Sequence, residues 1–409
     1  MRRHLRRAAW VCVVLILLGV VVWTGANLVG SGRYQSAVEG LKAEGFVLQP
    51  SRMSPDPVAV AENGAPFYSA AFALFVEPEE APWVDGGKKL LDLEPEDRTS
   101  VAAWLERNSD AFDMLRRAQK RPRCRFERDY SLGYTMALPE VSKAVGLSRA
   151  LSRLAETRVL AGDVPGAREA VSLLFGLGEC LREDPILVSY LVRAVVLERA
   201  LSAIDDAVTE ATGEVELRAW QALLPAESPL KGGLERAYRG EIAMAAALID
   251  TPGSENWAAL TGMGSQRAVA WDLLRPLVRY DGADYLYDMR TMTLACRKPY
   301  LEAAAEIASI RPQDVHPLWS PIRRLLLPAL GISLKRQAAV EARLLVVRAG
   351  LEAERDRKAS GAYPKSVSGI DPFNGKPLIY DLEQGRIASS RPTEGDQDRP
   401  TEWRLRAKK

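Results

Sequence analysis

The chain has 409 residues, 47% hydrophobic and 26% charged, with 55 basic and 53 acidic side chains and a net charge of +2. These are the proportions of a folded body, and they exclude a wholly disordered chain. Arg2, Arg3, Arg6 and Arg7 stand in the first seven residues with no acid, which leaves 51 basic against 53 acidic residues beyond them; such a near-neutral body lacks the footprint of phosphate-backbone binding, and no nucleic-acid partner is expected.

Residues 1–7 read as a cytoplasmic basic tail and residues 8–29 as a transmembrane helix. Ala8 to Val29 is uncharged, and at 1.5 Å per residue it spans roughly 33 Å, enough for a hydrocarbon core of about 30 Å. Trp10 and Trp23 lie near its ends, where indoles favour the interface, and the preceding arginines place the N-terminus inside. The protein is therefore expected in the inner (cytoplasmic) membrane, single-pass, with the bulk of the chain extracytoplasmic. The other reading is a signal peptide cleaved near Thr24-Gly25-Ala26, which exports the same body. Three cysteines follow the segment: Cys124, Cys180 and Cys296. An odd number leaves at least one thiol without an intrachain partner, and the simplest reading is buried small hydrophobes.

Residues 30–60 read as a juxtamembrane helix (about 34–44, ended by Gly45) and a linker broken by Pro50, Pro55 and Pro57. An all-α extracytoplasmic domain is expected over 61–360. Asn63 caps a helix with Phe67, Ala71 and Leu74 on one face. Residues 77–96 read as loop. Val101, Leu105, Phe112 and Leu115 share the face of one helix, and 121–139 reads as a short hairpin or irregular crossover. Leu147, Leu151 and Leu154 open a helix ending near Ala161. Gly162-Asp163 turns the chain into a helix with Pro165 in its first turn, and Asp184-Pro185 repeats that start for a helix to about Val208. The turn resembles one tetratricopeptide hairpin, but no second copy follows at a period of about 34. Further helices are predicted near 215–224, 232–250, 265–274, 284–308 and 334–358. Residues 361–390 read as a small β-hairpin (378–380 with 386–388) and 391–409 as a flexible polar tail.

Two stretches carry a resemblance. ENGAPFY (Glu62–Tyr68) is similar to an ENAAxxY pattern, and GAYP (Gly361–Pro364) with DPFNGKPLIY (Asp371–Tyr380) to a DPFxGxPLxY pattern, both found in a group of uncharacterised bacterial single-pass membrane proteins. The resemblance covers most of the body in order and implies an architecture, not an activity. The C-terminal stretch also resembles the end of type II secretion major pseudopilins, which implies a place in a secretion apparatus. The chain departs from those proteins at Arg7-Ala8-Ala9-Trp10, which has neither their processing glycine nor their glutamate. Their calcium loop would fall on Glu394-Gly395-Asp396-Gln397-Asp398, read here as a solvated acidic tail.

No chemical motif stands out. Of the two histidines, His4 and His316, one alone lies beyond the apolar segment and cannot build a multi-His zinc site. No G-x-S-x-G, HExxH, P-loop or dinucleotide fingerprint occurs, and Gly262-Met263-Gly264-Ser265 reads as a small-residue loop. Glu198 and Glu241 are candidate paired carboxylates for a hydrolase, which requires them about 5–10 Å apart; the plainer expectation pairs them with Arg199, Arg236 or Arg239. Tyr280, Tyr285, Tyr287, Trp257 and Trp271 could line a groove but read first as core. No catalytic, cofactor or metal residue is assigned. The expected function is a membrane-anchored, non-enzymatic binding or scaffold protein of the bacterial envelope, whose partners are the membrane through residues 8–29 and other envelope proteins. A carboxylate-based periplasmic hydrolase and a pseudopilin-like secretion component are the alternatives.

Overall fold

A computed structural model describes residues 2–78, 88–209, 211–251, 274–311, 320–391 and 401–406. Helix dominates, as the periodicity predicts, with a small antiparallel sheet near the C-terminus. Among the described residues one helix is long and apolar enough to cross a membrane, and none of that apolar window is buried.

That helix, α1 (Arg2–Ala43), is continuous, so the expected juxtamembrane helix is its outer third and not a separate element. No glycine or proline stands where the break was expected in a conformation that could end it; Gly45, at φ 79°, does so later. Residues 30–43 enter the core through Tyr34, Ala37 and Leu41. They pack in parallel on α10 (Arg275–Ala295). Gly30 lies against the Pro276 carbonyl, Arg33 pairs with Asp284 at 2.5 Å and Glu44 with Arg290 at 2.6 Å. The body therefore begins on the residue after the apolar run, with no slack between them.

The next elements form a hairpin stack. The Ncap of α2 (Ala65–Leu74) is Gly64, but the Asn63 side chain does serve the helix start: Oδ1 accepts from Ala65 N, its first N–H, at 3.1 Å. Its amide also clamps a distant strand-like segment: Nδ2 donates to the Arg125 carbonyl and Oδ1 accepts from Arg125 N, both at 2.9 Å. The buried face of α2 is Tyr68, Ala71 and Phe72, so Leu74 is exposed. The stretch expected as loop over 77–96 already contains a 3-10 turn at Leu90–Asp92 and the start of α3 (Pro95–Arg107); residues 79–87 lie outside the described residues. The helix expected across 101–115 is two, α3 and α4 (Ser109–Ala118), parted at buried Asn108. Asn108 Nδ2 donates to the Val76 and Trp104 carbonyls and Oδ1 accepts from Val76 N, so the side chain replaces the lost helical bonds. No hairpin forms over 121–139; a 3-10 segment, Tyr130–Thr135, stands there.

Helices α5 (Pro139–Leu160), α6 (Val164–Glu179) and α7 (Leu187–Ala207) pack on one another. The turn between α5 and α6 matches its sequence signature: Gly162 has φ 74° and Asp163 accepts from Gly166 N at 2.9 Å. The second cap-then-proline start does not. Ile186 is the Ncap of α7, and Asp184 is buried against Tyr130 and Ser189. After α8 (Glu214–Gln221), helix α9 (Gly233–Asp250) runs antiparallel to α10. The helix predicted at 265–274 falls almost wholly outside the described residues. The one predicted over 284–308 is α10 plus α11 (Tyr300–Ala308), split before Pro299, which cannot donate to a continuing helix. Helix α12 (Pro321–Ser360) begins well before the predicted start at 334 and ends at Gly361, φ 83°.

The C-terminal hairpin pairs β1 (Ile379–Asp381) with β2 (Arg386–Ala388), placing Tyr380 opposite Ile387. The tail expected to be loose adds β3 (Glu402–Arg404), Trp403 opposite Ile387. Trp403 is fully buried over Gly350 of α12, where a Cβ would overlap the indole. Phe373 is buried against Ala338, Ala339 and Ala342 of α12 and meets Tyr300 edge-on, 4.9 Å between centroids.

Candidate functional site

A cleft of about 540 Å³ opens between α5 and α7, within the range of small-molecule sites. Helix periodicity builds its walls. Arg149, Arg153, Glu156 and Leu160 recur at i, i+4, i+7 and i+11 on α5, and Val195, Glu198 or Arg199, Ser202 and Asp206 do so on α7. The opposite faces of the same helices, Leu147 and Leu151 or Leu197 and Leu201, lie in the core. Lys88 and Lys89 close one rim, and Arg336 of α12 and Arg391 close another.

Arg391 arrives through the DPFNGKPLIY motif. Asp371 is fully buried and binds the chain just before Arg391, accepting from Ser389 Oγ at 2.9 Å and Ser390 N at 2.6 Å. It also accepts from Phe373 N at 3.0 Å, an Asx turn that orients the buried phenylalanine. The motif thus docks on α12 and sets the guanidinium of Arg391 2.8 Å from Glu198.

The lining carries seven cations and three carboxylates. Each carboxylate is already engaged. Glu198 holds Arg391 and, at 3.3 Å, Arg336. Glu156 holds Arg153 at 2.7 Å and Asp206 holds Lys89 at 3.0 Å. Among the described lining residues cations outnumber carboxylates by four, while Leu91, Val159, Leu160, Val195 and Ala203 supply an apolar surface.

The second sequence candidate, Glu241, is not among the lining residues. It is buried on α9, where Oε1 accepts from Leu187 N at 3.3 Å and Oε2 from Tyr134 Oη at 3.2 Å. Leu187 opens α7, so the carboxyl satisfies an N–H that no helical carbonyl can reach. Burial pushes Glu241 up to about 7, opposed by the Leu187 and Tyr134 hydrogen bonds. Asp281 plays the same part for α12: Oδ2 accepts from Ile322 N at 2.6 Å and Arg323 N at 3.2 Å, and burial raises the carboxyl to about 6. Glu241 and Asp281 thus each cap another helix. Neither Arg199, Arg236 nor Arg239 pairs with Glu241 in a described contact; Arg239 holds Glu235.

The expected aromatic groove does not assemble. Tyr285 is fully buried, Tyr287 is exposed, and Tyr280 lies under Arg33 with 4.2 Å from guanidinium to ring centroid. Trp257, Trp271, His316, Gly262–Ser265 and Glu394–Asp398 lie outside the described residues. Among the described residues no group of three or more His, Cys, Asp or Glu side chains could hold a metal ion. The cationic cleft itself escaped the sequence reading. Its signal was the polar stripe Arg149, Arg153, Glu156 on α5, which by itself looks like an ordinary solvated face. Comparison with family models, curated proteins and solved structures finds no match.

Proposed function

We propose that this is a membrane-anchored envelope protein whose extracytoplasmic body binds a small anionic amphiphile, a phosphate or carboxylate on an apolar group, in the cleft between α5 and α7. The observation that carries the reading is the excess of cations over carboxylates on an opening with an apolar wall. Arginine and lysine donate charge-assisted hydrogen bonds to oxyanions, and the apolar wall favours a ligand that is not an anion alone. The cleft contains one of the two acids considered for hydrolysis and not the other, and each of its three carboxylates is held by a cation, which supports binding over hydrolysis. The chain remains in the membrane through residues 8–29, with its arginine-rich end in the cytoplasm.

The test uses the full chain in phosphatidylcholine nanodiscs and calorimetric titration with 1-naphthyl phosphate. Saturable one-to-one binding is expected, with 1-naphthyl glucoside binding far more weakly. Replacing Arg149 and Arg199 by glutamine removes two of the cationic lining side chains, and since about 1.4 kcal/mol is tenfold, even one lost charge-assisted hydrogen bond lowers affinity at least about tenfold. Equal binding of the neutral glycoside, or an unchanged affinity in the variant, would overturn the assignment.

A further inference from the structure

Two of the three cysteines beyond the apolar helix meet in the fold. Cys124 and Cys180 are both buried and both line one small cavity of about 10 Å³, room for no more than a single water. Cys180 Sγ lies 3.1 Å from the Leu177 carbonyl, and burial, with Cys124 beside it, raises its thiol. Tyr68, whose hydroxyl donates to the Gly176 carbonyl at 2.8 Å, feels both sulfurs.

The backbone around them is fixed from several sides. Cys124 sits between residues clamped to 62–64: Gly64 N donates to the Arg123 carbonyl at 2.8 Å, and Asn63 binds Arg125 on both its amide atoms. Cys180 is the Ccap of α6, its N–H donating to the Gly176 carbonyl at 3.0 Å. Flanking contacts hold the two segments side by side: Arg123 to Glu183 at 3.8 Å, Arg128 to Asp184 at 3.1 Å, and Tyr130 to Asp184 at 3.2 Å. Disulfides form between cysteines whose backbones are already close and held in place. The remaining thiols are elsewhere: Cys296 lies near Glu235 and bonds the Met292 carbonyl at 3.2 Å, and Cys12 is inside the apolar helix.

We infer that Cys124 and Cys180 are joined by a disulfide in the mature protein, and that Cys296 stays a thiol. The inference rests on the export of the body proposed above, since that compartment oxidises thiols and the cytoplasm keeps them reduced. The co-reactant is a disulfide R–S–S–R, from a thiol–disulfide oxidoreductase or a small-molecule disulfide. One cysteine thiolate attacks it and releases R–S⁻; the second thiolate attacks the protein sulfur of the mixed disulfide and releases the other R–S⁻. Two protons leave the cysteines and two electrons reduce R–S–S–R. Burial raises the Cys180 thiol well above its ordinary range, so the bond forms while the chain folds and is slow to exchange afterwards.

The experiment is peptide mass mapping of the full chain from membranes, alkylated under denaturing conditions without reductant. A linked peptide pair containing Cys124 and Cys180, with Cys296 alkylated, is expected. A fluorescent reporter that matures only in the cytoplasm, fused after Lys409, is read in the same cells. A dark reporter with Cys124 and Cys180 both alkylated overturns the disulfide. A bright reporter with reduced cysteines overturns the export reading, and a second arm then decides the pairing. Prolonged incubation of those membranes with oxidised glutathione yields the same linked pair if the geometry holds, and its absence there overturns the pairing.

Discussion

Glu198 and Glu241 lie in helical walls of one domain and share a side chain, yet their surroundings make them opposites. Glu198 opens on the cleft between two arginines, Arg336 and Arg391. Glu241 is sealed with no cation beside it, bonded to a phenol and to the first N–H of α7. A carboxylate between guanidiniums keeps its charge and lends order to a binding surface. A carboxyl buried on neutral donors gives up its charge and becomes part of the scaffold. A perturbed acid is therefore no sufficient marker of a reactive site: here Glu241 and Asp281 cap helices, and the cleft lies elsewhere.

The contrast breaks most visibly at Trp403. Trp403→Ala removes a fully buried indole from between β3 and α12, and should cost about 4 kcal/mol, read as a fall in melting temperature. Because Arg391 contacts Thr401 near that strand, binding of 1-naphthyl phosphate should weaken as well, while the titration of Glu241 stays where it was. A variant that loses stability but keeps full affinity would detach the C-terminal sheet from the cleft.

Phe373→Ala probes the same module from the Asp371 side. It should cost about 3 kcal/mol through the loss of the ring packed on α12 and Tyr300. An unchanged melting temperature would mean that Phe373 is not the anchor its burial describes.

Glu241 sharpens the other half of the comparison through pH. Its folded value of about 7 lies above the ordinary 4.5, so the folded state holds a proton that the unfolded state has lost between these values. The contribution of Glu241 to stability is then fully present below about 4.5, declines as pH rises to about 7, and is lost above. The difference corresponds to no more than about 3 kcal/mol. Glu241→Gln keeps both hydrogen-bonding positions without the charge. Denaturant midpoints of the native protein should fall relative to this variant from pH 5 to pH 8; parallel profiles would place the carboxylate in contact with solvent or a cation.

The smallest effect is expected at Ser202, in the cleft wall. Ser202→Ala should change stability by less than about 0.5 kcal/mol, because no core packing is lost. A larger loss in chemical denaturation would show that the cleft floor is structural.

Local chemistry alone made several features legible. The Gly162-Asp163 turn is readable because only a residue tolerant of positive φ followed by a capping oxygen joins two helices that way. The hairpin across Glu383–Gly385 follows from the two short runs 378–380 and 386–388 on either side of a polar turn, all within about ten positions of one another. Features that depend on distant partners were misread. Asn63 read as a helix cap alone; its Oδ1 does accept from Ala65 N, but nothing near it in sequence reveals Arg125. Asp184 carried the same cap-then-proline signature as Asp163, but Tyr130 and Ser189 bind it instead. The residues after 391 looked loose because a three-residue strand has little local signal, and Trp403 owes its burial to a glycine on α12.

What the sequence determined by itself is the class of the molecule: an apolar helix followed by a helix-rich body, set by the length of one uncharged run and by apolar spacing of three and four. The tertiary structure alone decided what faces what. Helix periodicity says which residues share a stripe, but not whether that stripe meets water or another stripe. Arg149 and Arg153 became one wall of a cleft only when α7 turned Glu198 and Arg199 toward them. Cys124 met Cys180 only when Asn63 pinned the crossover beside the end of α6.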